Sequence, residues 1–314
     1  MKPMVSVIMP VYNAENYIRE AIDSILTQSY GNFELIIIND CPTDNSMDIV
    51  YKYTDKRIKI FNNKVNSGIA YSRNIGLEHS QGKYIALMDD DDISLPERLE
   101  IEVDFLEKRP EIDVIGGRCD IIDANGGFIR RSVIPFYNPK FIKAVYLFKN
   151  AHMNSTVMFR RNIIDQYGIR FRDNYLGMED FRFWIECSKV CNMSNLENIL
   201  LKYRKHSENE SSRIMEKKFE ERKKLYAELQ RYSLYESGFR LSEKQLQLIN
   251  KVMTEKNGNC EFWEEAKEFQ AVLRDIVNQA RHQDLDYCDE LLILCKKTWA
   301  EKLSNMNQLW EFDR

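Results

Sequence analysis

No stretch of this 314-residue chain approaches the roughly 20 consecutive apolar residues that a membrane-spanning helix needs. The opening "MKPMVSVIMPVYN" is apolar at its centre but lacks a small-residue cleavage site, so it reads as a first strand and not as a signal peptide. A disulfide framework is missing too. The seven cysteines are odd in number and follow no framework spacing, which fits free thiols in a reducing, cytoplasmic compartment. Cys187 and Cys191 lie four apart on an expected helix with no metal-site spacing around them, and read as core thiols. Positive charge is not in excess. With 45 Lys and Arg against 49 Asp and Glu, the net charge of −4 argues against a general nucleic-acid binder. Internal repeats and low-complexity segments are absent. So is a phosphate loop rich in Gly and Lys or Arg: "PVYNAEN" follows the first strand, which weighs against a nucleotidyltransferase.

What is present is an alternation of short apolar runs and helical stripes. Val5–Met9, Phe33–Ile38, Ile58–Phe61 and Tyr84–Met88 read as buried strands. Between them helices are expected over about residues 15–28 and after Asp44, and another begins at Ala70–Leu77 and is ended by Gly82. This β-α-β pattern implies an α/β fold with a mostly parallel, Rossmann-like sheet flanked by helices. In such sheets ligands lie beyond the carboxyl ends of the strands. Pro10–Asn13, Asn39-Asp40 and Asp89–Asp92 each follow a strand directly, so three polar clusters are expected on one rim. Further on, a helix is expected to Lys108, a strand at Val114–Gly117, a hairpin over Cys119–Ile134 around "DANGG", and a helix at 138–149. A strand at Ser155–Phe159, a helix at Phe181–Val190 and a closing strand at Leu196–Arg204 follow. From Ile214 the character changes to charged, amphipathic helices at 214–231, 242–256, 261–281 and 285–303, which places a boundary near residue 213.

The densest chemistry lies in Tyr84–Pro96, "YIALMDDDDISLP". Asp89, Asp90, Asp91 and Asp92 follow a buried strand, where mutual repulsion of unpaired carboxylates is costly. A divalent cation relieves that cost, and hard cations prefer oxygen. A solvated acidic turn is the plainer reading of the same four residues.

The polar clusters together resemble the inverting glycosyltransferases of family 2, which have the GT-A fold. The resemblance covers roughly residues 3–213. It runs through "VSVIMPVYNAENYIREAIDSILTQSY", "FELIIINDCPTDNS", "NSGIAYSRNIGL", "GKYIALMDDDDISLP", "GMEDFRFWIE" and "YRKHSENESS". It implies a GT-A domain over 1–213, with a nucleotide-sugar half to about 95 and an acceptor half from about 96, followed by a helical C-terminal region over 214–314. It further implies metal-dependent, inverting transfer of a sugar, hexosyl in type, to a hydroxyl of a glycan or lipid-linked acceptor in surface-polysaccharide assembly. A catalytically silent sugar-nucleotide-binding module on the same fold is the alternative.

Residue roles follow from the resemblance. Pro10 and Tyr12 sit where the family packs against the nucleoside. Asp40 matches the aspartate that accepts the base N3–H; this favours UDP, though a dTDP sugar presents the same group, and a helix cap is the structural reading. Asn39 departs from the family's usual aspartate. Asn66, Gly68, Arg73 and Asn74 match the segment near base and diphosphate, where Arg73 would neutralise phosphate or hold an aspartate. Asp91 is expected to ligate Mg2+ or Mn2+, with Asp89 and Asp90 near the ribose or the metal, Asp89 a ligand candidate, and Asp92 supporting the turn. Glu179 and Asp180 match the acidic pair at a helix start, with Asp180 the base and Glu179 its substitute. His206 would touch metal or diphosphate, with Arg204 close by in sequence. His152 would line an acceptor pocket or be buried and hydrogen-bonded. The C-terminal helices, with Trp263, Trp299 and Trp310, are compatible with core packing, a homodimer, cover over the acceptor groove, or contact with the inner membrane face.

Overall fold

A computed structural model describes residues 3–133, 138–207, 209, 218–254 and 263–302. Residue 213, Ile134, Ile214 and Trp310 lie outside them, as does the side chain of Trp263. The chain forms two compact units, Met1–Tyr137 with Ala151–Lys217, and Asn138–Asn150 with Lys218–Arg314. The 138–150 segment therefore groups with the C-terminal helices, although the sequence reading counted it with the N-terminal domain.

The first unit opens with β1 (Val5–Val11), α1 (Ile18–Leu26), β2 (Phe33–Asn39), α2 (Ser46–Val50), β3 (Ile58–Asn62), α3 (Ile69–His79) and β4 (Tyr84–Leu87). All seven residues of β1 are buried, as a strand with helices on both faces requires. Helix α1 turns Ile18, Ala21, Ile22 and Ile25 into the core, the stripe its spacing predicts. Strands β3, β2, β1 and β4 pair in that order, all parallel. The chain thus leaves β1 toward β2 and later returns to its other side as β4. This reversal opens a crevice at the carboxyl ends of β1 and β4.

The sheet continues through β5 (Ile93–Ser94), α4 (Arg98–Lys108), β6 (Val114–Ile122), β7 (Phe128–Arg131), β8 (Met158–Arg160), α6 (Asn162–Tyr167), α7 (Glu179–Val190) and β9 (Met193–Arg204). Its order is β3-β2-β1-β4-β8-β6-β9-β5, with β7 beside β6. The longer pairings are parallel and β8 runs antiparallel to β4 and β6.

Three local expectations are revised. The strand at 114–117 and the first arm of the hairpin are one strand, because β9 pairs along the whole of β6 with shifts around Arg118. Gly117 permits this: a Cβ there would meet the Leu200 side chain at 2.4 Å. The expected strand at Ser155–Phe159 begins as a 3-10 turn, Asn154–Thr156, because the Thr156 hydroxyl satisfies itself locally on Met153 O at 2.7 Å. Strand β5, unforeseen in the sequence, is a two-residue bridge onto Lys202 and Leu201 of β9.

The second unit contains α5 (Pro139–Tyr146), α8 (Phe219–Glu236), α9 (Glu243–Thr254), α10 (Trp263–His282) and α11 (Cys288–Lys302). Helix α5 packs on α11, and the Phe148 carbonyl beyond α5 accepts from Tyr226 and Gln230 of α8 at 3.0 and 2.9 Å. Trp299 is buried beside Phe269, so it is a core residue. Among the described residues, no helix is long and apolar enough to cross a membrane.

Beneath the end of β4 lies a fully buried ion pair, Arg98 and Glu102, 3.3 Å apart. Arg98 also donates to the Leu87 carbonyl at 2.9 Å, fixing the last strand residue before the acidic run. Burial pushes the Glu102 carboxyl up to about 7, against the opposing pull of Arg98. A folded-state value above the ordinary 4.5 means that its contribution to stability is complete below pH 4.5 and lost as pH rises through 7. Glu102→Gln is therefore expected to gain stability relative to wild type across that window, by up to about 3 kcal/mol. Denaturant unfolding at several pH values checks this; a difference independent of pH would contradict it.

Candidate active site

The crevice between β1 and β4 is made by a proline. The ladder of β1 with β4 runs only to Ile8, and Pro10, which has no N–H, lies just past it while still aligned with Ile38 of β2. The strands part there. The chain after Val11 turns through Asn13, at φ 54°, whose side chain accepts from Thr43 N at 2.7 Å. Across the gap, Tyr12 N donates to Asp90 at 2.9 Å, while its ring is exposed. Asp90 is thus tied into the structure at a position the family leaves free. Burial, then the charges of Asp91 and Asp89, push its carboxyl well above the usual range.

Asp40 ends the next strand. It is buried and takes three protein donors: Asn63 at 2.7 Å, Ser67 N at 2.8 Å and Gly68 N at 2.9 Å. The last two lie in the turn just before α3, so Asp40 fixes the entry to that helix from a distant strand. Gly68, at φ 85°, has the left-handed backbone that glycine adopts without a Cβ penalty. A carboxylate has about four acceptor positions, so one is left on Asp40. Asn39 bonds to Asn62 and Cys41 N and serves the turn. Asn66 is exposed on the loop before α3. Asn74 bonds both ways to the Phe171 backbone, at 2.9 Å each, so its amide pins a loop and is not available to a diphosphate.

One turn into α3, Arg73 joins the distant acids. Its guanidinium donates to Asp89 at 3.0 Å and to Glu179 at 2.7 Å, and it lies over the Phe171 ring. Burial alone would lower its pKa, but Asp89, Glu179 and Asp180 outweigh this and hold it well above the ordinary value. Asp89 also accepts from the Ser155 hydroxyl at 2.6 Å. Glu179 and Asp180 begin α7, where the helix dipole favours negative charge. The loop before it holds Asn174, Leu176 and Gly177 at positive φ. For Leu176, at 43°, that is strain, of a kind that clusters at functional sites. Glu179 is buried in its ion pair, whereas Asp180 is half-buried, with one oxygen on Phe181 N.

Asp91 faces the other way. One of its oxygens meets His206 Nε2 at 2.9 Å and Asn209 Nδ2 at 2.8 Å. Asn209 in turn accepts from His206 N at 2.6 Å, which closes a ring of three residues. The His206 ring lies 4.6 Å from that of Tyr17. Arg204 clamps the same turn: its backbone N–H donates to Asp92, and its guanidinium to the carbonyls of Asp91 and Ala124 and to Glu20. Asp92 is fully buried, its second oxygen has no hydrogen-bond partner among the described residues, and burial raises its carboxyl well above the usual range, as do Asp91 and Asp89. Asp92 supports the turn, as expected.

The sequence reading missed Asn209 and gave Arg204 no task. The only sequence sign was their place in "YRKHSEN", around a histidine already singled out. His152 is buried with Nε2 on the Ser194 carbonyl at 3.0 Å, and burial lowers it to about 4. The hydrogen-bonded reading of His152 thus holds. Among the described residues no set of three His, Cys, Asp or Glu forms a cation cage. The arrangement offers instead the Asp91–His206 pair, open to oxygen ligands from a substrate, and a carboxylate cluster around Arg73 that can accept a proton.

Comparisons with known proteins bear on the family and the fold. Residues 6–168 match the profile of "Glycosyl transferase family 2". The chain is 38% identical over 245 residues to an uncharacterized glycosyltransferase of Haemophilus influenzae, covering 75% of this chain and 76% of that one. It is 34% identical over 224 residues to the Escherichia coli UDP-Glc:alpha-D-GlcNAc-diphosphoundecaprenol beta-1,3-glucosyltransferase WfgD, covering 70% and 83%. The crystal structure of Staphylococcus aureus TarS 1–349 in complex with UDP-GlcNAc superposes with a TM-score of 0.64 at 20% identity, covering 100% of this chain and 94% of that one; at that identity the likeness is one of fold, GT-A. The chain is a glycosyltransferase and belongs to glycosyl transferase family 2.

Proposed function

We propose that the protein transfers a sugar from a UDP-sugar to a hydroxyl of a lipid-linked saccharide, with inversion at the anomeric carbon. The observation that carries this reading is the Arg73 bridge. It couples Asp89, just past the donor strand, to Glu179 beside Asp180, so the strand end that borders the donor and the helix start that carries the base share one buried cation. The lipid-linked acceptor and the UDP donor are supported by the name of the Escherichia coli relative.

In this reading Tyr12 packs on the nucleoside and the acceptor position left on Asp40 takes the uracil N3–H. Asn66 and Gly68 border the base, and Asp89 and Asp90 border the ribose. Asp91 and His206, which meet at 2.9 Å, would hold Mg2+ or Mn2+. When bound, the ion supplies electrostatic stabilisation of charge on the departing diphosphate. Asp180 accepts the proton of the acceptor hydroxyl as its oxygen bonds to C1. The C1–O bond to the diphosphate breaks on the opposite face, leaving its electron pair there. Glu179, already paired with Arg73, orients that guanidinium.

Asp180→Asn is expected to lower transfer about a thousandfold or more while donor affinity changes little. Product analysis with calorimetric donor titration checks this, and near-wild-type turnover would remove Asp180 from the base role. Asp91→Ala and excess chelator are expected to give the same loss of transfer; full activity in chelator would overturn metal dependence. Asn209→Ala frees both His206 and Asp91, and is expected to weaken Mn2+ binding about 10- to 100-fold, read by calorimetry or by the spin-resonance signal of the free ion.

A further inference from the structure

The β6–β7 hairpin carries a surface that the transfer chemistry does not use. Strand β7 is exposed along its whole length, with Phe128 64% and Ile129 50% accessible, and Val133 just beyond it is 82% accessible. The register accounts for part of this. Arg130 lies opposite Ile121 and Phe128 opposite Ile122, so Ile129 is an extra residue, a bulge that turns its side chain away from a partner. Edge strands ordinarily blunt themselves with charge, and large apolar side chains kept exposed on one mark an interaction site.

Beside these residues positive charge outnumbers negative. Asp120 is neutralised by Arg131 at 2.8 Å, and Asp123 accepts from the N–H groups of Asn125 and Gly127 inside the turn. Arg130, Lys202 and Lys205 are exposed and make no ion pair among the described residues. Lys202 lies opposite Asp120 on β9, and Lys205 donates its N–H to Ile122 O, so all three cations belong to this hairpin and its neighbour. The patch also lies at the rim of the active site. The turn of the hairpin offers the Ala124 carbonyl to Arg204, which holds the Asp91 backbone.

We propose that this hairpin docks on an anionic lipid surface, with Phe128 and Ile129 entering the interface and Arg130, Lys202 and Lys205 facing the headgroups. Exposed apolar side chains interleaved with cations are what such a surface binds. The proposal rests on the reading that the acceptor is lipid-linked: docking would bring the crevice to the membrane plane from which that acceptor presents its sugar.

The test is cosedimentation of the full chain with vesicles of phosphatidylglycerol and phosphatidylethanolamine. Wild type is expected to bind and to release as salt rises. A Phe128→Ser/Ile129→Ser variant and an Arg130→Glu/Lys202→Glu variant are each expected to lose at least about tenfold in binding. All four positions are exposed, so the melting temperature and transfer to a soluble saccharide acceptor should be unchanged. Absence of vesicle binding by wild type, or wild-type binding by both variants, would overturn the proposal. So would a wild-type dimer that Phe128→Ser converts to monomer while vesicles stay unbound, since the patch would then meet a second copy. Vesicle binding that persists while lipid-linked acceptors are refused leaves the docking standing and removes the acceptor reading instead.

Discussion

The site depends on one buried guanidinium. Without Arg73, Asp89 and Glu179 would stand as like charges in a region where burial already raises the neighbouring carboxyls Asp90 and Asp92. An arginine is the side chain suited to this. It stays charged when buried, and its planar fork serves two carboxylates at once, which a lysine cannot do in the same geometry. The remaining contacts reinforce the placement: Asp40 fixes the turn into α3, Asn74 pins the Phe171 loop, and Phe171 stacks on Phe183 at 4.1 Å. The strand ends and the start of α7 are therefore held as one rigid frame, on which positioning of two substrates can be built.

The second frame is the clamp on the acidic turn. Arg204 gives its donors to Asp91 O, Ala124 O and Glu20, and its backbone to Asp92. Four consecutive aspartates are thereby sent in different directions. Asp89 goes to Arg73 and Ser155, Asp90 to Tyr12 N, Asp91 to His206 and Asn209, and Asp92 into the interior. A run that repels itself in sequence is separated by backbone geometry, and Asp89, Asp90 and Asp91 stay near the crevice while Asp92 turns inward.

The parallel half of the sheet was legible because each strand was an apolar run closed by a turn signal, as in Phe33–Asn39. The convergence of Tyr12, Asp40 and the acidic turn followed from that topology and needed no side-chain knowledge. What the sequence hid was non-local. Nothing near Arg73 says that it will meet a glutamate 106 positions away, and nothing near Asn209 says that it will bond 118 positions back. Strand β5 was hidden for a different reason: two residues carry no period, and their pairing comes from β9. Helix α5 carried a clear helical signal, yet its partner, α11, lies about 140 residues downstream, so its unit could not be read locally.

Asp40 shows what such wiring means for binding. Its three bonds to Asn63, Ser67 and Gly68 are all made within the protein. The loop that would receive the base is folded in advance, so its ordering entropy is charged to folding and not to association. Capture of the donor then becomes a rigid-body encounter, in which release, more than loop closure, sets how long the nucleotide stays.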